Sequence, residues 1–399
     1  MEKIVAMIIT LLFLFSFISS ENAIHVANTN NVLYVGGNGP NNYTKIQDAI
    51  NNANDGYIIY VYPGYYNESI VINKSISLIG IGEEKPVIVG RGNGSAVKII
   101  ADGCLIKNFI VKSNKSIHSP PAIEVISDNN VIENNTFIYG WTASYFKNCS
   151  NNVVKNNLFM HGYYYGVYTE NGKNDQFINN IAERNGLEGF SFNEIDSSIV
   201  NNIATKNIHG MGIWCCKNCE IISNLFYSNH EYGIHIVESI NVSLLNNSIY
   251  GHPYGGILLM DCTNCTIERN DVHNNYWGIM VEGTYRIPWC KNKNNVIKRN
   301  NIYSNSIGIY LDKGRNNYFI ENNLMNNDIN AYFELLINVQ DPNPIRPLYN
   351  LWLRNYWDDW KLSLPKPIKG RLWIDIRFLF FNTPWFYFDK NPALEPWGI

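Results

Sequence analysis

Three features predict an all-β chain folded as a right-handed parallel β-helix: an Asn recurring about every 22 residues, strand-like alternation inside each period, and Gly at a second fixed offset. The reference Asn residues are Asn135, Asn157, Asn180, Asn202, Asn224, Asn247, Asn270, Asn300 and Asn323, at steps of 22, 23, 22, 22, 23, 23, 30 and 23. Asn108 is expected to open the series one longer step earlier. A fixed period of this length means one small unit stacked on itself. Runs such as IERNDV and GIMV alternate apolar and polar residues with period two and are too short for helices. Leucine-rich repeats share the length, but their dense Leu pattern is absent. What remains is a single-stranded solenoid of about 10–12 coils, each with about three short strands.

Adjacent coils of such a fold pair at about 4.8 Å, so equivalent residues stack. Stacked Asn side chains can pass amide-to-carbonyl hydrogen bonds up a column, while Ile and Val columns fill the interior. Asn is abundant, 62 of 399 residues, yet spaced rather than clustered. Gly166, Gly189, Gly233, Gly256, Gly278 and Gly308 follow the reference Asn by eight or nine residues. There the backbone is expected to need either positive φ or a close approach to another chain segment.

A stack has two open ends that need covering. YTKIQDAINNA, Tyr43 to Ala53, reads as a short amphipathic helix for the first. After Asn323 the repeat fades into an aromatic tail, NLWLRNYWDDW through FNTPWFYFDKNPALEPW, expected to close the second. The resulting division is residues 1–23 as a leader, 24–103 as cap and first coils, 104–333 as regular coils and 334–399 as C-terminal cap.

The leader reading rests on Lys3, an apolar run from Ile4 to Ile18, and Ser19 and Ser20, a secretory signal pattern cut near Ser20 or Ala23. The run is about 15 residues, short of the roughly 20 a spanning helix needs, with an uncleaved anchor as the alternative. No other segment is long and apolar enough to span, so a secreted, extracellular or cell-envelope location is expected. Sequons at Asn42, Asn67, Asn73, Asn93, Asn114, Asn241 and Asn264 agree with export. A net charge of -3 argues against nucleic acid as a partner.

The segment around the predicted helix carries Ile46-Gln47, Ala49-Ile50, Asp55-Gly56, Pro63-Gly64, Tyr66, Glu68, Lys74-Ser75-Ile76 and Leu78-Ile79-Gly80. This resembles the entry segment of pectin-lyase-like β-helix proteins. With the coils and the NYWDDW tail, nearly the whole mature chain is similar to NosD-type β-helix proteins of bacterial and archaeal envelopes. The resemblance implies the fold but not one activity, because such domains serve as hydrolases, lyases, epimerases, copper-linked accessory proteins and surface scaffolds. The QDT and DFIFG-like motifs of pectin methylesterases are absent. Of the polygalacturonase motifs, the only Asp pair, Asp358-Asp359, lies in the tail, and IHGMG at Ile208–Gly212 lacks its partners. No catalytic residue carries over.

Candidate chemistry therefore comes from the coils. Residues expected to point outward are Tyr168, Ser191, Trp214, His235, Leu258, Met280 and Tyr310, with carboxylates just beyond them at Glu170, Glu194, Glu238, Asp261, Glu282 and Asp312. Tyr165, Tyr232, Tyr254 and Trp277 precede the Gly positions, with His209, His230 and His252 nearby. Aromatic rings beside carboxylates suit a polysaccharide or cell-surface glycan. Other envelope proteins are further candidate partners. A 30-residue step inserts GTYRIPWCKNKN, Gly283 to Asn294, after Glu282, and solenoid insertions often flank a working surface. The expected groove uses Trp214, His235, Tyr254 and Trp277 to bind substrate. Glu238, Asp261 and Glu282 are the catalytic carboxylates if the chain is a hydrolase, lyase or epimerase. Carboxylates on adjacent coils would stand about 5 Å apart, those on alternate coils about 9.6 Å. Ca²⁺ held by these oxygens, a bare solvated row and a ligand-free envelope scaffold stay open as alternatives.

The eight cysteines include Cys216–Cys219 and Cys262–Cys265 at matching offsets two coils apart. Local disulfides, or a link from Cys290 in the insertion, suit an exported chain. The metal alternative is Cys216, Cys219, Cys262 and Cys265, or copper on the soft set Cys215, Cys216, Cys219, His235, Met280 and Cys262, with unpaired buried thiols as the remaining reading.

Overall fold

The computed structural model describes residues 31–284, 292–338, 349–376 and 379–399. The expected leader lies outside them, as do Cys290 and most of the insertion.

The entry segment is organised by two charged side chains of the resemblance motif. The helix spans Ile46–Asn52, shorter than the expected Tyr43 to Ala53, and buries Ile46, Ala49 and Ile50. Its first N–H groups have no intrahelical acceptor. Glu68 accepts from the Ile46 N–H at 2.8 Å and the Gln47 N–H at 3.1 Å, a carboxylate at the positive end of the helix. Lys74 Nζ donates to the carbonyls of Ile50 and Asn51 at the other end. Asp55 then fixes the next turn by accepting the Ser75 N–H at 2.8 Å.

Beyond this cap the chain winds into parallel strands. One sheet holds 13 short strands, from Tyr65–Tyr66 to Tyr356–Trp357, one for each coil. The other two strands of each coil join a continuous larger sheet. The helix thus has about 13 turns rather than 10–12. Outside the repeat series lie the first coils, which lack the interior Asn, and the last, whose ladder residue is Asn355.

Each corner between strands needs one residue in the left-handed conformation, which Asn tolerates better than most residues. Asn134, Asn156, Asn179, Asn201 and Asn246 occupy it at φ of 54–57°. The next residue turns inward and is the ladder Asn. Asn247 Oδ1 accepts the Asn224 N–H at 2.8 Å and Asn224 Nδ2 at 3.0 Å, while Asn247 Nδ2 donates to the Ile221 carbonyl and to Asn270. The file runs from Asn135 through Asn300 to Asn322 and Asn355. Two expected members are corrected. Asn323 stands one residue past the ladder, bonded to Asn301 and Trp397. Asn108 stands one residue before it, at φ 67°, and Phe109 takes the ladder position.

Two further interior files escaped the repeat count. One passes through Asn130, Asn152, Asp175 and Ser197 and resumes at Asn295, Asn317 and Asn350. The other passes through Asn185, Asn207, Asn229, His252, Asn275 and Asn305. His252, expected on the outer flank, is an interior link. Its Nδ1 accepts the Asn229 N–H at 3.3 Å, and burial lowers its pKa to about 4, so the ring is neutral.

The recurring glycines have ordinary φ and serve close approach. A Cβ on Gly233 would lie 2.4 Å from Ile249 Cγ2 and 2.8 Å from the Gly256 carbonyl oxygen, and Gly256 meets Gly278 likewise at 2.7 Å. Gly210, absent from the expected set, belongs to this column. At the C-terminal end Trp352, Trp357, Leu372 and Tyr387 are buried over the last coils. The strands Lys366–Ile376 and Leu379–Asp389 form a hairpin there.

Candidate functional site

From Thr142–Lys147 to Ile329–Asn338 one strand of each coil, such as Tyr165–Glu170 or Trp277–Glu282, is longer than its neighbours and carries three outward positions. The first outward file reads Thr142, Tyr165, Glu188, His209, Tyr232, Gly255, Trp277, Ile307 and Ile329. The middle file reads Tyr145, Tyr168, Ser191, Gly212, His235, Leu258, Met280, Tyr310 and Tyr332. The third includes Lys147, Glu170, Trp214, Val237, Met260, Glu282, Asp312 and Glu334.

This register redistributes the expected site. Trp214 lies in the third file, not the middle one, because Gly210 rather than Gly212 occupies the glycine column. The carboxylates do not form a single row. Glu170, Glu282 and Asp312 end their strands, whereas Glu238 and Asp261 are the left-handed corner residues that follow, at φ 49° and 53°. Glu194 is interior and buried. Asp261 is engaged with Thr284, accepting its N–H at 3.1 Å and its hydroxyl at 2.7 Å. The close-packed catalytic triplet Glu238, Asp261 and Glu282 is therefore split between two files.

The four residues expected to bind substrate lie along one side of the coils. Trp214 packs edge-on against His235 at 5.0 Å between ring centroids, Tyr254 lies 6.0 Å from Trp277, and Trp277 lies 6.3 Å from Tyr310. Tyr310 in turn stacks on Tyr332 at 6.2 Å and 2°. On the other side Trp141, Tyr145, Tyr165 and Tyr168 form a cluster, with Tyr165 stacked on Tyr168 at 4.9 Å. Tyr165, Tyr168, Ser191, Asn193 and Trp214 line a shallow pocket of about 290 Å³.

Beneath this pocket sits a group that sequence reading missed. Glu188, 2% exposed, meets His235 Nε2 at 3.0 Å. Gly212 lies below the pair, where a Cβ would be 2.5 Å from His235 Nε2 and 2.6 Å from the Glu188 carboxyl. His209 completes the group at 4.7 Å from the His235 ring, its pKa lowered to about 4 chiefly by burial. Glu188 Oε2 and His209 Nδ1 are buried without a hydrogen-bond partner. Such groups usually have partners. The signal was present as IHGMG, whose first Gly serves the column and whose second clears space for the pair.

The stripe ends at a second pocket, of about 580 Å³, whose lining includes Tyr332, Asn330, Trp357, Asp358, Asp359 and Lys366. The Asp pair is thus joined to the coils: Asp358 accepts the Asn326 N–H at 2.6 Å and Asn330 Nδ2 at 2.8 Å, and Asp359 accepts Asn330 Nδ2 at 3.0 Å.

Of the described cysteines all but the exposed Cys215 are buried. The seven described ones carry free thiols. A hydrogen bond to Cys219, then burial, raises the Cys216 pKa, and burial first, then a bond to Cys265, raises that of Cys262. His235 and Met280 face outward while Cys216, Cys219 and Cys262 face inward, so the six soft donors do not share a flank. Among the described residues no three His, Cys, Asp or Glu side chains converge on a metal position.

Comparison with known proteins agrees with this architecture. Residues 193–359 match the family described as periplasmic copper-binding protein (NosD), and residues 87–247 match the right-handed β-helix region. Together the two matches span residues 87–359 and agree with a right-handed parallel β-helix similar to the NosD type. A cell surface glycoprotein of Methanothermus fervidus is 36% identical over 102 residues, which is 25% of this chain and 17% of that protein. Solved structures share the fold. The Azotobacter vinelandii mannuronan C-5 epimerase AlgE6 A-module has a TM-score of 0.57 at 17% identity, covering 78% of this chain and 87% of its own. The catalytic domain of a GH87 alpha-1,3-glucanase, solved with tetrasaccharides, has a TM-score of 0.56 at 15% identity, covering 82% of this chain and 69% of its own. Among the described residues no helix is long and apolar enough to cross a membrane.

Proposed function

We propose that this NosD-type β-helix is an exported cell-envelope protein that binds a polysaccharide or cell-surface glycan along its longer-strand face. One observation carries the reading: Trp214, Tyr232, Tyr254, Trp277, Tyr310 and Tyr332 form a near-continuous aromatic path parallel to the stacking axis. Coils rise about 4.8 Å each, comparable with a pyranose repeat, so a chain laid along the axis meets a new ring on each coil. Sugar faces stack on rings, and carboxylates beside them accept hydroxyl hydrogen bonds. Tyr254 is 51% exposed and Trp214 39%, enough ring surface for such contacts. The envelope location is supported by the cell-surface and periplasmic descriptions of the matched proteins.

The test is retention on a panel of immobilised polysaccharides, with wild type beside a Trp214→Ala/Trp277→Ala variant. Retention on at least one polymer, weakened about tenfold or more by the double substitution, is expected. Failure to bind any polymer, or binding indifferent to both tryptophans, would leave the chain as a scaffold.

A further inference from the structure

We propose that this face selects glycans without acidic groups and rejects polyuronates and sulfated or phosphorylated polymers; the inference rests on the glycan-binding reading above. Between Thr142 and Glu334 the three outward files contain one lysine, Lys147, and no arginine, against Glu170, Glu188, Glu282, Asp312 and Glu334. The lysines that do reach the area are already engaged. Lys147 Nζ lies 3.4 Å from Glu170, and Lys313, just past the third file, lies 2.6 Å from Asp312. Arg371 lies beside Glu334 in the next strand. Within these files, among the described residues, a carboxylate on each sugar would thus meet no unengaged guanidinium or ammonium, the groups that ordinarily clamp such anions, before Arg371 at the C-terminal end.

Two features of the face agree with this preference. Glu188 Oε2 is buried in the first file with no hydrogen-bond partner, a carboxyl oxygen whose negative charge no donor offsets. The aromatic rings themselves lie in a negative field. After burial, Glu188 raises the phenol pKa of Tyr165, which reaches about 12. Burial followed by Glu282, among others, does the same for Tyr232, also about 12. Burial followed by Asp312, Glu334 and Glu282 raises Tyr310 further. What hinders a phenolate from forming at these rings hinders a carboxylate from docking on them. The fold alone carries no such preference, since the structurally similar A-module belongs to a mannuronan epimerase.

Matched chains differing only in oxidation at C6 isolate the charge: β-1,4-mannan with β-1,4-mannuronan, and β-1,4-gluco-oligosaccharides with β-1,4-glucurono-oligosaccharides of the same length. Binding is measured at low salt in EDTA, then with Ca²⁺ added. The neutral member of a pair is expected to bind, with its uronate partner weaker by about tenfold or more. The Glu282→Gln/Asp312→Asn/Glu334→Gln variant, or Glu282→Gln alone if the triple variant fails to fold, should narrow that gap, as should high salt. Equal or stronger retention of the uronate overturns the inference while leaving glycan binding intact. Uronate binding that requires Ca²⁺ overturns it too, replacing repulsion by cation bridging. Absence of binding to both members of every pair removes the glycan reading and this inference together.

Discussion

The file Asn202–Asn224–Asn247–Asn270 and the file Gly212–His235–Leu258–Met280 occupy the same coils, one inside and one outside. Inside, each residue completes the hydrogen bonding of its neighbour. Asn247 supplies the acceptor for a buried Asn224 N–H that no water reaches, so a different side chain there would leave a buried donor unpaired. Outside, the backbone is already satisfied by parallel pairing, so no side chain is needed to complete it. The four outer residues are correspondingly a Gly, a His, a Leu and a Met. The stacking rule that imposes repetition on the interior leaves the longer-strand face free to vary, and that face carries the aromatic path and the buried Glu188–His235 pair.

The contrast is most sharply broken by Asn247→Ala. It orphans the Asn224 N–H and the Ile221 carbonyl and interrupts the ladder in both directions. A loss of about 4 kcal/mol is expected, from roughly 1–3 for each buried group left unpaired. Chemical denaturation with a far-ultraviolet signal measures it. Gly233→Ala should cost somewhat less, about 2–3 kcal/mol, because its Cβ would press on Ile249, the Gly256 carbonyl and His252 together. The same melt applies, and a neutral result would mean that adjacent coils separate easily.

Asp175 tests the interior rule from the other side, since it is an acid standing in an Asn file. Its Oδ1 accepts the Asn152 N–H at 2.7 Å, but its Oδ2 is buried without a partner. Burial raises its pKa to about 7. Between the ordinary aspartate value and about 7 the folded state keeps a proton that the unfolded chain has released. This group's contribution therefore falls as pH rises through that window. Asp175→Asn should flatten that slope and raise stability at pH 8 by about 2 kcal/mol. His252 has the opposite sign. With its pKa lowered to about 4, the unfolded chain binds the extra proton, so stability falls as pH drops from about 6.5 to 4. His252→Asn should remove most of that acid-side loss in the same pH series.

The interior was readable in the sequence because it repeats, and its errors have a physical origin. The left-handed corner and the ladder position both favour Asn, which produces doublets such as Asn134-Asn135 and Asn246-Asn247. At Glu321-Asn322-Asn323 the corner is taken by Glu321 at φ 56°, so the second Asn of the doublet is no longer the ladder residue. The first coils and Phe109 carry no ladder Asn and left the turn count low. The outer face was only half readable. Its aromatic residues follow from the strand period, but which residues share a file depends on register. IHGMG offers two glycines for one column. Only the contact of Gly210 with the Gly233 carbonyl decides between them, and that choice moves Trp214 by a file and brings Glu188 to His235.

The smallest expected change in stability is therefore the most informative about the face. Trp214 is partly exposed, donates no hydrogen bond that the fold depends on, and contacts His235 through its ring edge. Trp214→Ala should alter the denaturation midpoint by no more than about 0.5 kcal/mol, the usual range for a surface site. It should nonetheless weaken polysaccharide retention about tenfold, since stacking on one ring is worth roughly 1 kcal/mol or more. Asn247→Ala sets the opposite limit, because any effect on retention there should follow the fraction unfolded. If Trp214→Ala instead lowered stability by as much as Gly233→Ala, its ring would be part of the packing that holds the coils together. The distinction between a repetitive interior and a free outer face would then fail at the position where the proposed function needs it most.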